Sequence, residues 1–196
     1  MRLLVEGRAL AQLDGKWGVV DARGEVVLPH AHAVLRDHFE WYVATSAEGS
    51  TFFSKQGVEA FRVPYTNIGE LRDGHMTVSN GYAGPYGYMN REGRVVLPPR
   101  FRFAAPFSGG RAIVQFEDEN WGIIDLDGKA VHTFDFSLLP SCGASRFADD
   151  GIAYIESFGR FGLVDRDGKL IRPPEFQELY GFGDEQIWVR CPENFA

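Results

Sequence analysis

Trp121-Gly122-Ile123-Ile124-Asp125-Leu126-Asp127-Gly128-Lys129 is one of five imperfect copies of a single pattern, and the other four begin at Trp17, Ser50, Tyr86 and Phe161. The pattern runs aromatic, glycine, two apolar or β-prone residues, a short side chain carrying an oxygen acceptor, two variable positions, glycine. In every copy the acceptor stands three positions before the glycine: Asp21/Gly24, Ser54/Gly57, Asn90/Gly93, Asp125/Gly128 and Asp165/Gly168. Such a side chain accepts a hydrogen bond from the backbone two residues on, and glycine takes the positive φ that closes a three-residue hairpin loop with a bulge. Each copy therefore reads as a β-hairpin. A Val substituted at Gly128 or Gly168 is expected to cost more than one at Gly49, which this reading places outside the turns.

Working outward from the turn, short runs such as Val19-Val20, Val26-Val27-Leu28, Ile123-Ile124 and Ala130-Val131 suit a pleated, half-buried surface. The second strand usually meets proline: Pro29, Pro98-Pro99 and Pro173-Pro174, with Pro64 slightly later in the second copy. Proline donates no backbone hydrogen bond, so it is expected to end the ladder and turn the chain. About ten residues on comes a third strand, Gly7-Arg8-Ala9-Leu10-Ala11-Gln12 and its echo Gly110-Arg111-Ala112-Ile113-Val114-Gln115. Looser forms begin at Gly74, Gly151 and Gln186.

Successive copies start 33, 36, 35 and 40 residues apart. A period in this range marks an architecture in which each unit buries its apolar face on its neighbours and cannot fold alone. The second copy has Ser50-Thr51 in place of the aromatic and glycine, so its interface is expected to be looser or specialised.

The units from Lys16-Trp17-Gly18 to Leu28-Pro29, from Tyr86-Gly87 to Pro98-Pro99, at Trp121-Gly122, and from Phe161-Gly162 to Pro173-Pro174 resemble WG repeats. That is a bacterial family named for its Trp-Gly pair, with a Gly-Lys-x-Val-hydrophobic-Pro-Pro segment behind it. The resemblance covers nearly the whole chain. Two aromatic positions depart from Trp and one copy has lost the pair. What it implies is a non-enzymatic β-repeat scaffold with no shared catalytic residues to carry over.

The expected fold is all-β: one domain over residues 1–196, built as a tandem array of five hairpin units of about three strands each. Two arrangements are compatible with the repeat. An open twisted array would leave the strands near Arg8 and Ile187 as caps, whereas a closed five-bladed propeller would bring them together. Three clear strands per unit, against the four usual in a propeller, favour the open array.

A hydrophobic fraction of 44% and an aromatic fraction of 14% place the chain among globular proteins with a real core. Leu3-Leu4-Val5 is followed at once by Glu6, so no apolar run is long enough for a signal peptide or membrane span, and the expected location is the cytoplasm. Cys142 and Cys191 are too few and wrongly spaced for a disulfide framework or a metal site. A net charge of −7 and a pI near 5.2 argue against nucleic acid, whose binding depends on neutralising phosphates with Lys and Arg. The same charge favours a basic protein partner.

Five stretches are candidate sites. His30 and His32 would share one face of an extended strand, but no carboxylate or cysteine stands at a supporting spacing, and no metal or cofactor is expected. Trp41 and Tyr42, with Phe39, Phe52 and Phe53, either fill the volume of the missing Trp or form an aromatic recognition patch. Tyr82 sits in Ser79-Asn80-Gly81-Tyr82-Ala83-Gly84-Pro85, a mixture that offers rigid amphipathic contact on adaptable backbone. Glu117, Asp118, Glu119, Asp149 and Asp150 occupy turns, where they are either solvated acids or part of a contact face. Adjacent turn carboxylates are not the separated pair of a glycosidase.

No Gly-x-Ser-x-Gly, no phosphate loop ending in Gly-Lys-Ser/Thr and no His near Cys142 is present, and Gly181-Phe182-Gly183 precedes no helix. The expected function is a non-enzymatic, protein-binding repeat module. Its concrete form is an immunity or antitoxin-type protein masking a cationic partner. The alternative is a small-molecule-binding protein or enzyme with its site in a propeller mouth.

Overall fold

A computed structural model describes residues 3–4, 7–81, 84–138, 146–177, 179–180 and 188–189. Among these every regular element is a β-strand, arranged as five antiparallel meanders and a terminal strand pair. The first sheet is β1 (Leu3–Leu4), β2 (Arg8–Leu13), β3 (Lys16–Asp21) and β4 (Val26–His32). The second is β5 (Val34–His38), β6 (Trp41–Ser46), β7 (Gly49–Ser54) and β8 (Glu59–Val63). The third is β9 (Asn67–Ile68), β10 (His75–Ser79), β11 (Tyr86–Asn90) and β12 (Val95–Phe101), and the fourth is β13 (Phe103–Ala104), β14 (Ala112–Gln115), β15 (Trp121–Ile124) and β16 (Ala130–Thr133). The fifth is β17 (Ile152–Ser157), β18 (Arg160–Asp165) and β19 (Leu170–Phe176), with an isolated bridge from Phe147 to Ala153 where a first strand would lie. β20 (Leu179–Tyr180) pairs with β21 (Trp188–Val189).

The expected three strands per unit become four in the first four sheets. The additional strand is two residues long in three of them, too short to leave a period-2 pattern in the sequence. Among the described residues no strand pairs the first sheet with the last, so the array is not closed.

The turns form as the acceptor spacing predicts. In all five copies the backbone carbonyl of the acceptor residue takes the N–H of the glycine three positions on, and its N–H donates to the carbonyl of the residue four on. The side-chain oxygen of Asp21, Ser54, Asn90, Asp125 or Asp165 takes the N–H groups two and four residues on as well. Five φ values between 76° and 87° put the glycines in the left-handed region. These hydrogen bonds favour the ionised carboxylate and hold Asp21 below the usual Asp range, the bond from the Glu25 N–H being the largest cause.

The glycine of the aromatic–Gly pair answers a different need. Its φ is ordinary, but a methyl on Gly18 would lie 2.6 Å from the Leu28 carbonyl oxygen, on Gly87 2.5 Å from that of Leu97, and on Gly162 2.7 Å from that of Arg172. In these three sheets the partner strand carries two extra residues opposite the pair: Trp17 meets His32 and Val19 meets Leu28, and the same shift separates Tyr86/Tyr88 and Phe161/Leu163. The prolines sit in this bulge. They lie inside β4, β12 and β19 and do not end the strand as expected, because a bulge on an edge strand needs no ladder donor there. The second sheet shows the converse. Ser50, Thr51 and Phe52 pair with Val63, Arg62 and Phe61 without a shift, so Thr51 keeps a Cβ and Pro64 falls beyond the strand.

Alternation along the strands sends each sheet to two neighbours. Trp121 and Ile123 pack with Phe147, Ala153, Ile155 and Val164 of the fifth sheet, while Ile124 packs with Tyr88, Leu97 and Phe101 of the third. Val19 and Leu28 meet Leu35, Tyr42 and Ala44, and Phe52 and Val63 meet Ile68, Met76 and Met89. The Tyr88 hydroxyl, its pKa raised by burial, donates to the Ala105 carbonyl at 2.7 Å across the third interface. Four core clusters thus join five sheets in a line, and the inner strands are buried on both faces, not half-buried.

The turn glycines also dock the sheets. A methyl on Gly57 would lie 2.0 Å from the Val27 carbonyl oxygen of the preceding sheet, on Gly93 2.5 Å from the Phe61 ring, on Gly128 2.8 Å from Leu97 and on Gly168 2.1 Å from His132. Gly24, with no preceding sheet, meets nothing within 4 Å. Gly49 is not the neutral position expected of it: its φ is 135° and a methyl there would lie 2.2 Å from the Val63 carbonyl oxygen.

Candidate protein-interaction surface

A four-stranded meander sends its loops alternately to two ends. One end holds the four Asx turns, the equivalent Ser54 turn and the loops between first and second strands. The opposite end holds the second-to-third-strand hairpin loops, whose described residues are 14–15, 47–48, 80–81, 84–85, 116–120 and 158–159.

This division separates the residues singled out in the sequence. Trp41 and Tyr42 are buried, 8% and 1% exposed, and face opposite interfaces of the second sheet. Trp41 lies edge-on to Phe52 and Phe61 at 5.8 and 6.0 Å, and Phe52 stacks on Phe61 at 4.4 Å. Neither residue presents a recognition patch; the volume-filling reading is the one this geometry matches, because both faces of the strand are covered. Tyr82 lies outside the described residues, as do both cysteines.

Asp149 and Asp150 are exposed at the Asx-turn end, where the Asp149 carbonyl accepts from Arg166 and the Asp150 carboxylate accepts the Ile152 N–H at 3.0 Å. Glu117, Asp118 and Glu119 are exposed at the opposite end. Glu119, at φ 71°, pairs with Arg102, and Asp118 accepts from the Asn120 backbone and side chain. Glu117 has no ion-pair partner among the described residues. The acids therefore form two separate patches on two ends of the array.

The Asx-turn end is knitted by charges that sequence reasoning did not find. Lys55 pairs with Asp37 and stands 4.5 Å over the Tyr42 ring; Arg91 of the third sheet pairs with Glu40 of the second; the Gly110 N–H donates to Asp73 at 2.7 Å. Glu70 joins Arg72 at 3.3 Å and Arg146 at 3.6 Å, linking the third sheet to the start of the fifth. An ion pair between non-adjacent sheets shows that the first-strand loops converge. No signal local in sequence marks a contact across 76 residues.

His38 is half-buried beside this cluster, with Nε2 shielded from solvent and unpartnered among the described residues. Burial, and secondarily Arg36, depress its pKa; the Gly69 backbone, Glu70 and Asp37 oppose the shift. His32, 5.2 Å from the Phe53 ring, is depressed by burial too. A histidine whose folded pKa lies below 6.5 binds fewer protons than the unfolded chain just under that pH. Its stabilisation is therefore complete above about pH 6.5 and is lost as pH falls towards the folded value. Denaturant midpoints measured between pH 7.5 and 5 are expected to fall, and to fall less in His38→Gln.

The family model described as "WG containing repeat" matches residues 86–119 and 161–191. The chain carries WG repeats. Each matched segment begins at the aromatic of a third strand and runs into the second strand of the following sheet, so a WG repeat straddles two sheets. No curated protein matches the WG-repeat chain. Among solved structures it is similar to the computationally designed Ika8 protein, with 12% identity and a TM-score of 0.54 over 92% of this chain and 64% of that one. It is also similar to Hsv2p of Kluyveromyces lactis, with 13% identity and a TM-score of 0.51 over 82% of this chain and 58% of that one. The WG-repeat chain spans about three-fifths of each. At these identities the likeness concerns the fold alone: an all-β, propeller-like stack of sheets. Among the described residues no helix is long and apolar enough to cross a membrane, and no group of His, Cys, Asp and Glu is placed to hold a metal ion.

Proposed function

We propose that the WG-repeat chain is a non-enzymatic, cytoplasmic protein-binding module that holds a cationic protein against the acidic hairpin-loop end of its array. The observation that carries the reading is the exposure of Glu117, Asp118 and Glu119 on one loop while the buried aromatic and aliphatic side chains of the strands are committed to contacts between sheets. Its concrete form is an immunity-type protein that masks a basic toxin domain. An open stack of rigid sheets supports such a role by presenting loops at fixed spacing without itself changing shape.

The test is retention of lysate proteins on the immobilised chain, followed by calorimetry with the purified partner at two salt concentrations. Glu117→Lys/Asp118→Lys is expected to weaken binding roughly tenfold and to flatten its salt dependence, since rim charges act through steering and complementarity. Asp149→Lys/Asp150→Lys, on the other end, should leave affinity within about twofold. No retained protein, or equal sensitivity at both ends, would refute the reading.

A further inference from the structure

β17 and β18 are joined by a two-residue turn, Phe158-Gly159, with φ values of 49° and 72°. Positive φ at both central positions is the turn that suits a right-twisted hairpin, and it calls for Asn, Asp or Gly at the first of them. The first sheet makes the same turn with Asp14-Gly15, at 50° and 76°. Phe158 thus stands where the fold is served by aspartate. An aromatic residue in the left-handed region is strained.

Phe158 is also 84% exposed, more than any other large hydrophobic among the described residues. Among the described residues no contact repays either cost. Phe39, likewise at positive φ (51°) and 51% exposed, rests edge-on against His38 at 5.1 Å; Phe158 has no ring contact among the described residues. The surroundings of Phe158 are fixed. Ser157 pairs with Arg160 across the turn, Arg160 reaches the Glu175 carbonyl, and Phe176, paired opposite Phe161, is itself 36% exposed on the same end. The neighbouring sheet brings the Glu117–Glu119 loop to that end as well.

We infer that Phe158 is an anchor inserted into an apolar pocket of a partner protein, and that the pocket is rimmed by Lys or Arg facing Glu117 and Asp118. A rigid aromatic on a two-residue turn gives large contact area at small entropic cost, which is the character of an interface hot spot. The acidic loop at the same end supplies the charge complementarity that selects a basic rim. This rests on the proposed protein-binding role and adds its central contact and the chemistry of the pocket.

The test replaces Phe158 with photoreactive p-benzoylphenylalanine in the full chain and irradiates it in lysate of the source cells, with the same probe at Asp149 as the other-end control. A single adduct from position 158, mapped to an apolar pocket flanked by Lys or Arg and abolished by Glu117→Lys/Asp118→Lys, is expected. With the purified partner, Phe158→Asp should weaken binding at least about tenfold, the range of a hot-spot residue. Because Phe158→Asp installs the first sheet's own turn residue, its denaturant midpoint should equal or exceed that of the parent, so lost binding cannot be lost folding. An adduct from position 149 and not 158 would overturn both the anchor and the choice of end, whereas a retained partner whose binding is weakened by Glu117→Lys/Asp118→Lys but not by Phe158→Asp would overturn the anchor alone. Adducts only to a second copy of this chain or to lipid would overturn the anchor too, and no adduct from either position would overturn both readings.

Discussion

Gly57→Val is expected to destabilise the protein by upwards of about 3 kcal/mol, whereas Gly24→Val should cost only about 1–2 kcal/mol. The two glycines have the same turn, with φ values of 80° and 83°, so the backbone penalty is common to both. The difference lies in what a Cβ would meet: the Val27 carbonyl oxygen at 2.0 Å for Gly57, and open space for Gly24. That carbonyl is backbone and cannot turn aside as a side chain can, so relieving the clash displaces β4 or the turn and strains the Val19, Leu28 and Tyr42 interface between the two sheets. Gly168→Val should fall between them, because its obstacle is the His132 ring at 2.1 Å, a side chain that can turn aside. Urea melts of the three variants give the ranking. Equal losses would show that the turn glycines serve the turn alone and do not dock the sheets.

Phe52→Ala should cost about 3–5 kcal/mol, the range for deleting a fully buried aromatic. Phe52 is 0% exposed, stacked on Phe61 and edge-on to Trp41, in the one copy that lacks the aromatic–Gly pair. That copy is therefore specialised and not loose: a regular ladder lets three aromatics occupy the interface that elsewhere is built around the bulge. Because each core cluster joins only neighbouring sheets, the damage should stay local. Hydrogen exchange is expected to speed up in β6, β7 and β10 and to change little in β17 and β18. A loss below about 1 kcal/mol, or uniform acceleration along the chain, would contradict this account.

How much of this was legible depends on the range of each interaction. The Asx turns were fully readable, because every hydrogen bond that makes them joins residues no more than four apart. The role of the prolines was misread as strand-ending. Pro29 and Pro98 lie in bulges, and a bulge is a relation between two strands that neither strand states alone. The choice between the two readings of Trp41 and Tyr42 stayed open for a similar reason. A residue on a strand covered on both faces has no polar side to reveal which direction is inward, so period-2 reasoning cannot tell core from surface there. Of the proposed surface, the acidic loops could be named from sequence, but not their separation onto opposite ends. Phe158 was not found at all, although Phe-Gly at a place where the first sheet has Asp-Gly was a usable signal.

The sequence by itself determined the all-β class, the five-fold recurrence, the hairpin turns and their glycines, because these follow from local stereochemistry and a period repeated along the chain. Only the tertiary structure decided that a repeat straddles two sheets, which glycines keep sheets in contact, that Glu70 reaches Arg146, and which end of the array each loop occupies. Those outcomes depend on how neighbouring sheets register against one another, where side chains distant in sequence exclude or pair with each other.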